Sequence, residues 1–122
     1  MNIIQIRTFV PSRDFDISKQ FYQDLGFEIL WNDHKMATIG TTTQNFFLQD
    51  YYVKEWANNV MLQMFVDDLD ELYNRALPLM NKYEGSKIKP IFKADYGRTF
   101  HLGGPAGELW HMTESQNKKS TR

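Results

Sequence analysis

Few side chains in this sequence can carry chemistry, and their types narrow the choices at once. Cysteine is absent, which removes thiolate ligands, cysteine nucleophiles and disulfide frameworks together. The histidines are His34, His101 and His111. His34 falls in the polar turn Asn32-Asp33-His34, whereas His111 lies in an alternating stretch near the C-terminal end. An imidazole beside a guanidinium is a general base next to an oxyanion stabiliser, so His111 and Arg7 would have to meet for acid–base work. The plainer reading of His111 is a packed or cavity-lining histidine. Gln5, Gln49 and Gln63 offer amides that orient a ligand. The serines fall in turns, caps or the tail, without a strand-turn-helix elbow. Gly103-Gly104-Pro105-Ala106-Gly107 lacks the lysine and hydroxyl of a phosphate-cradling loop and reads as a hairpin turn. Asp67-Asp68 and Asp70-Glu71 oppose a helix macrodipole rather than gather a cation. Lys118, Lys119 and Arg122 are ordinary solvated charge.

The elements that must position these groups belong to one ordinary domain of 122 residues. Apolar residues make up 42%, enough to offset the ordering entropy and exclude a disordered chain. The 14 basic and 15 acidic residues leave a net charge of −1, so nothing draws the chain as a whole toward nucleic acid or anionic lipid. No basic leader and no membrane-spanning apolar run is seen; the expectation is a soluble, cytoplasmic protein. The aromatic load is 9 Phe, 6 Tyr and 3 Trp, more than a core of this size obviously needs.

Alternation predicts a strand over Ile3 to Val10, ended by Pro11. Asp14 or Asp16 caps a helix from Ile17 to Leu25, whose stripe is Ile17, Phe21 and Leu25. Gly26 closes it. Strands follow at Phe27 to Trp31, Lys35 to Gly40 and Gln44 to Tyr51. The pattern then restarts, with a strand at Asn59 to Val66 and a helix over Leu69 to Met80 that Pro78 kinks or shortens. Three more strands follow, at Ile88 to Phe92, Arg98 to Leu102 and Glu108 to Thr113. The order is β-α-β-β-β twice, with Phe9-Val10 matched to Phe65-Val66, and each half alone is too small to bury its sheet.

Three stretches make the sequence resemble the glyoxalase/bleomycin-resistance/dioxygenase superfamily, also called vicinal oxygen chelate proteins. Arg13 through Phe27 is similar to the first-helix pattern D-x-x-x-S-x-x-F-Y-x-x-L-G-F. Phe65-Val66-Asp67-Asp68-Leu69-Asp70-Glu71-Leu72 resembles the start of the second helix. Gly97-Arg98-Thr99-Phe100 and Gly104-Pro105-Ala106-Gly107-Glu108-Leu109-Trp110-His111 resemble the ending G-R-x-F-x-x-x-D-P-x-G-N. The departure is Gly104 in place of the turn Asp, which is expected to lose a side-chain bond to the loop backbone. The resemblance implies an α+β fold of two βαβββ modules. They would form an eight-stranded curled mixed sheet, a cup, with the helices on its outer side. It implies one domain over residues 1–114 (modules at about 3–52 and 59–114), a polar tail at 115–122, and a homodimer. Ile4, Ile6, Leu62, Met64 and Val66 would face the helices; Gln5, Arg7, Phe9, Met61, Gln63 and Phe65 would face the cup.

Enzymes of that superfamily hold a divalent metal with His, Gln and Glu from the cup face. Here Arg7 stands at the first ligand position, Met61 at another, Gln49 near the carboxylate position, and His111 at the last. A guanidinium has no lone pair to offer and a thioether is a poor ligand for hard or borderline metals, so no metal and no other cofactor is expected. Phe15, Phe21, Phe46 and Tyr73 are assigned to the core. The expected ligand-binding residues are Arg7, Phe9, Trp31, Phe47, Gln49, Met61, Gln63, Phe65 and His111, with Trp56 in the connection between modules. The leading expectation is a metal-free protein sequestering a small molecule, an antibiotic or metabolite, with Arg7 favouring an anionic or carbonyl-bearing ligand. The alternatives are a glyoxalase-type lyase, isomerase or dioxygenase using Gln5, Gln49 and His111, and a structural dimer with a filled cup. No membrane or nucleic-acid partner is expected.

Overall fold

The computed structural model describes residues 1–115; the expected tail, beyond Ser115, lies outside them. Helix α1 (Phe15–Asp24) starts because Asp14 is extended and its carboxylate accepts the Ile17 N–H at 3.2 Å. It buries Phe15, Ser18, Phe21 and Tyr22 and ends at Gly26, whose φ of 105° suits a residue without Cβ. Around it run β1 (Phe9–Pro11), β2 (Glu28–Asn32), β3 (Met36–Gly40) and β4 (Asn45–Gln49), ordered β1-β4-β3-β2 with β1 parallel to β4.

The second module repeats this after a short helix α2 (Lys54–Ala57), which has no sequence signal of its own. Strand β5 (Met61–Val66) leads to α3 (Leu69–Ala76), capped by Asp68 through the Glu71 N–H at 3.0 Å. Pro78 converts the rest of the expected helix into a 3-10 turn over Leu77–Asn81. The expected strand at 88–92 is two, β6 (Lys87–Ile88) and β7 (Phe92–Ala94), because Pro90 between them has no N–H for the ladder. Both pair with β8 (Gly97–Gly103), and β8 pairs with β9 (Leu109–Glu114), which lies parallel to β5. The α+β architecture and the two βαβββ modules are as expected, with the strands paired as one sheet of four and one of five.

Two expectations are corrected. The strand at Ile3 to Val10 shrinks to Phe9–Pro11, and Ile4 and Ile6 are 91% and 82% exposed rather than covered by helices. Parallel register sets Phe9 against Phe47, so β4, which begins at Asn45, runs out beside Arg7 and offers earlier residues no ladder. The repeat is also offset from the expected match. The caps Asp14 and Asp68 correspond, as do Phe9 opposite Phe47 and Gln63 opposite His111, so Phe9 is equivalent to Gln63 and not to Phe65.

One core takes residues from both modules, with Phe21, Tyr22, Ile39 and Leu48 meeting Leu69, Phe100, Leu102 and Met112. Leu62, Met64 and Val66 pack against it, as their alternation requires. Its polar centre is Glu108, fully buried, whose carboxylate accepts the Tyr22 hydroxyl at 2.6 Å and the Ala106 N–H at 2.9 Å. Tyr22 in turn accepts the Trp110 indole N–H at 2.9 Å. A Cβ on Gly104 would overlap the Glu108 carboxylate. The bond to the loop backbone expected to be lost with the turn Asp is therefore made from Glu108 instead.

Candidate functional site

Each sheet has one face on the core and one that the helices do not cover. On the uncovered face of the first sheet, Trp31, Thr38, Phe47 and Phe9 lie in one row across β2, β3, β4 and β1. The Phe9 and Phe47 rings meet edge-on at 5.2 Å. Arg7 lies over the Phe47 ring at 4.5 Å and its Nε donates to Asn45 Oδ1 at 3.0 Å. The equivalent row of the second sheet is Gln63, His111 and His101 across β5, β9 and β8. Met61 and Phe65 flank Gln63 on β5 and are 64% and 57% exposed. Burial first, then the charges of His111 and Lys89, hold the His101 imidazole below its ordinary pKa.

A separate groove of about 690 Å³ opens between the modules, on the core side of both sheets. Phe27, Phe46, Leu62, Met64 and Trp110 make its apolar floor; Ile6 and Thr8 of the N-terminal segment line one side, and Gln63, Phe65 and Val66 of β5 another. Its polar rim is the turn joining β3 to β4, with Gly40, Thr41, Gln44 and Asn45. That rim is fixed internally: the Thr41 N–H donates to Gln44 O at 2.8 Å, the Gln44 N–H to Thr41 Oγ1 at 3.0 Å, and Asn45 Nδ2 to Thr41 O at 3.0 Å. Gly40 has φ 137°, and a Cβ there would strike the Gln44 carbonyl, so glycine is required at that corner. None of the groove's lining residues is titratable.

Of the expected ligand-binding residues, Gln63 and Phe65 line this groove, and Arg7 touches its rim through Asn45. Phe9, Trp31, Phe47 and His111 stand on the uncovered faces, Gln49 ends β4 on that side, and Trp56 on α2 meets Tyr51 at 6.1 Å. Arg7 is engaged by Phe47 and Asn45, whereas His111 meets His101 edge-on at 4.4 Å on the other sheet. The groove residues that sequence reasoning passed over, Phe27, Phe46, Leu62, Met64 and Trp110, carried a clear apolar signal. It marked them as core, and nothing in the alternation says that the core gapes between modules.

No family model matches the chain, and no curated protein matches it in sequence. Solved structures match it over nearly its whole length. A bleomycin resistance determinant encoded on the transposon Tn5 is 22% identical, with 93% of this chain and 99% of that one aligned at a TM-score of 0.79. The chain has the glyoxalase/bleomycin-resistance fold. A bleomycin-binding protein from Streptomyces verticillus, in complex with copper(II)-bleomycin, is 20% identical and covers 95% of this chain and 99% of its own, with TM-score 0.78. A lactoylglutathione lyase from Agrobacterium tumefaciens shares the fold at 17% identity, 94% and 96% coverage and TM-score 0.69. The metal known for enzymes of the glyoxalase/bleomycin-resistance fold does not fit the donors here. Arg7 and Met61 occupy equivalent places in the two modules, and neither group is a ligand for a hard or borderline ion. Gln5 bonds Asn45 at the start of β4 while Gln49 ends it, roughly 13 Å along a strand that rises about 3.3 Å per residue. The set Gln5, Gln49 and His111 does not converge within this chain.

Proposed function

We propose that this protein binds and sequesters an uncharged, largely aromatic or extended apolar small molecule of the antibiotic or metabolite class, as a single domain over residues 1–114. The observation that carries the reading is the groove between the modules. Its volume lies in the range of small-molecule sites, about 300–1,000 Å³, its floor is aromatic and aliphatic, and its rim offers amides and a hydroxyl. No lining side chain can act as general acid, base or charged electrophile, so this site favours binding over turnover. The solved relatives described as bleomycin-binding and antibiotic-binding proteins support the same class of role. The neutral lining shifts the ligand away from the anion that Arg7 alone suggested.

The working form in this proposal is a cytoplasmic homodimer. Phe9 and Trp31 on one sheet, and Met61 and Phe65 on the other, are large apolar groups left exposed on the faces that helices do not cover, and such patches mark association surfaces. No helix among the described residues is long and apolar enough to cross a membrane.

Trp110 forms part of the groove floor, so tryptophan fluorescence and melting temperature can be followed while uncharged aromatic antibiotics and metabolites are screened. A hit is expected to raise the melting temperature, and Leu62→Trp, which fills the groove, is expected to abolish that rise. If every hit binds the Leu62→Trp protein as tightly as the wild type, the groove is not the site.

A further inference from the structure

We infer that His101 and His111 form a two-imidazole site for a divalent transition-metal cation of the copper, nickel or zinc class, on the uncovered face of the second sheet. The two residues stand directly opposite each other on the antiparallel neighbours β8 and β9, and their ring centroids are 4.4 Å apart. Opposed side chains on such a pair have Cβ atoms about 4.5–5.5 Å apart. A single ion about 2.0–2.1 Å from one nitrogen of each ring can span that separation. His111 Nε2 is buried and has no hydrogen-bond partner, whereas buried polar atoms are ordinarily paired. A metal ion shared with His101 gives this nitrogen a partner.

The surroundings specify the class of ion. Gln63 stands beside His111 on β5, and its Nε2 donates to Thr113 Oγ1 at 3.3 Å, which leaves the amide oxygen as a third donor. Among the described residues no group of three or more His, Cys, Asp or Glu gathers around an ion position. Two imidazoles with an amide and no carboxylate suit copper, nickel or zinc and not magnesium or calcium. Phe92 meets His101 edge-on at 5.4 Å and walls one side of the pair. The cation facing the pair is Lys89, whose charge acts on His101, while Arg7 is held at Phe47 and Asn45 on the other sheet. The two histidines lie outside the groove, because Leu102 and Trp110, their chain neighbours, point to the opposite, core side, and Gln63, which also lines the groove, stands between the two sites. The pair shares His111 with the last ligand position of the fold's enzymes, but its second imidazole, His101, has no place in their pattern.

The test uses the full chain, stripped with a chelator and titrated with Cu²⁺, Ni²⁺ and Zn²⁺ by calorimetry. One equivalent is expected, with Cu²⁺ bound most tightly. Paramagnetic resonance of the one-equivalent copper form is expected to show coupling to two imidazole nitrogens. His101→Gln and His111→Gln should each weaken binding by at least about tenfold, while His34→Gln, in an exposed turn, leaves it unchanged. If either variant melts early, the copper spectrum of the wild-type protein decides alone. No stoichiometric uptake, a spectrum with a single nitrogen, or uptake that survives both substitutions would overturn the inference. The pair would then be a ring contact only.

Discussion

Replacing Tyr22 by Phe removes one oxygen atom and tests the polar centre of the core directly. That hydroxyl donates to Glu108 at 2.6 Å and accepts from the Trp110 indole at 2.9 Å, and all three side chains are buried. The substitution leaves a carboxylate oxygen and an indole N–H unpaired, each costing about 1–3 kcal/mol and the charged group at the upper end. The expected loss is therefore about 3 kcal/mol, or roughly 10 °C in melting temperature for a chain of this size. Urea unfolding followed by tryptophan fluorescence measures it. Glu108 adds a pH signature. Burial above all pushes its carboxyl above the ordinary glutamate range, against the bonds from Tyr22 and the backbone. The folded state then holds the proton more tightly than the unfolded chain. Its stabilising contribution is complete below the unfolded value and is lost as pH rises through the folded one. Wild-type stability should thus fall with rising pH across that window, and Glu108→Gln should flatten the fall. Because Tyr22 and Glu108 touch, the double variant should depart from additivity by about 1 kcal/mol or more. A Tyr22→Phe cost below about 0.5 kcal/mol, or an unchanged pH slope in Glu108→Gln, would refute the picture of a desolvated carboxyl held by this hydroxyl.

Three further outcomes are expected. Asp24 accepts from Lys82 Nζ at 2.8 Å and the Tyr83 hydroxyl at 2.6 Å, and these bonds hold its carboxyl below the ordinary aspartate value. Its contribution is present above that value and lost as pH falls through the folded one, so Asp24→Asn should cost about 1–2 kcal/mol at neutral pH and little in strong acid, by chemical denaturation. Gly104→Asp should destabilise by about 2 kcal/mol or more through overlap with Glu108, and Glu108→Asn added to it should restore most of the loss, read by thermal melting. For the proposed dimer, sedimentation of the wild type should give twice the monomer mass, and Met61→Glu with Phe65→Glu should give monomers that keep the wild-type circular dichroism.

The legible parts of the fold were those fixed by local rules. Asp14, Asp68 and Gly26 declare helix ends by side-chain chemistry, and the alternation through β5 and β9 assigns faces without reference to the rest of the chain. Pro78 and Pro90 marked places where regular structure stops, although only the first was foreseen. What was not legible depends on where elements end relative to one another. The strand expected at Ile3 looks complete by itself, but it stops where β4 stops. His101 could not be given a face until its partner on β9 was known, and that neighbour is what makes it interesting. The groove was hidden for a similar reason: its floor has core composition, and only the separation of the two modules leaves it open.

The carboxylate that packs against Gly104 has a consequence for descent. A relative with Asp at the turn and Asn at the position of Glu108 satisfies the same loop from the other side. Passing from one arrangement to the other by single changes requires an intermediate with two carboxylates in one buried space, or one in which only the shorter Asn amide oxygen is left to receive the Ala106 N–H. Each intermediate is less stable than either endpoint. The two positions are therefore energetically coupled, and substitution at one without the other is expected to cost stability even where the ligand plays no part.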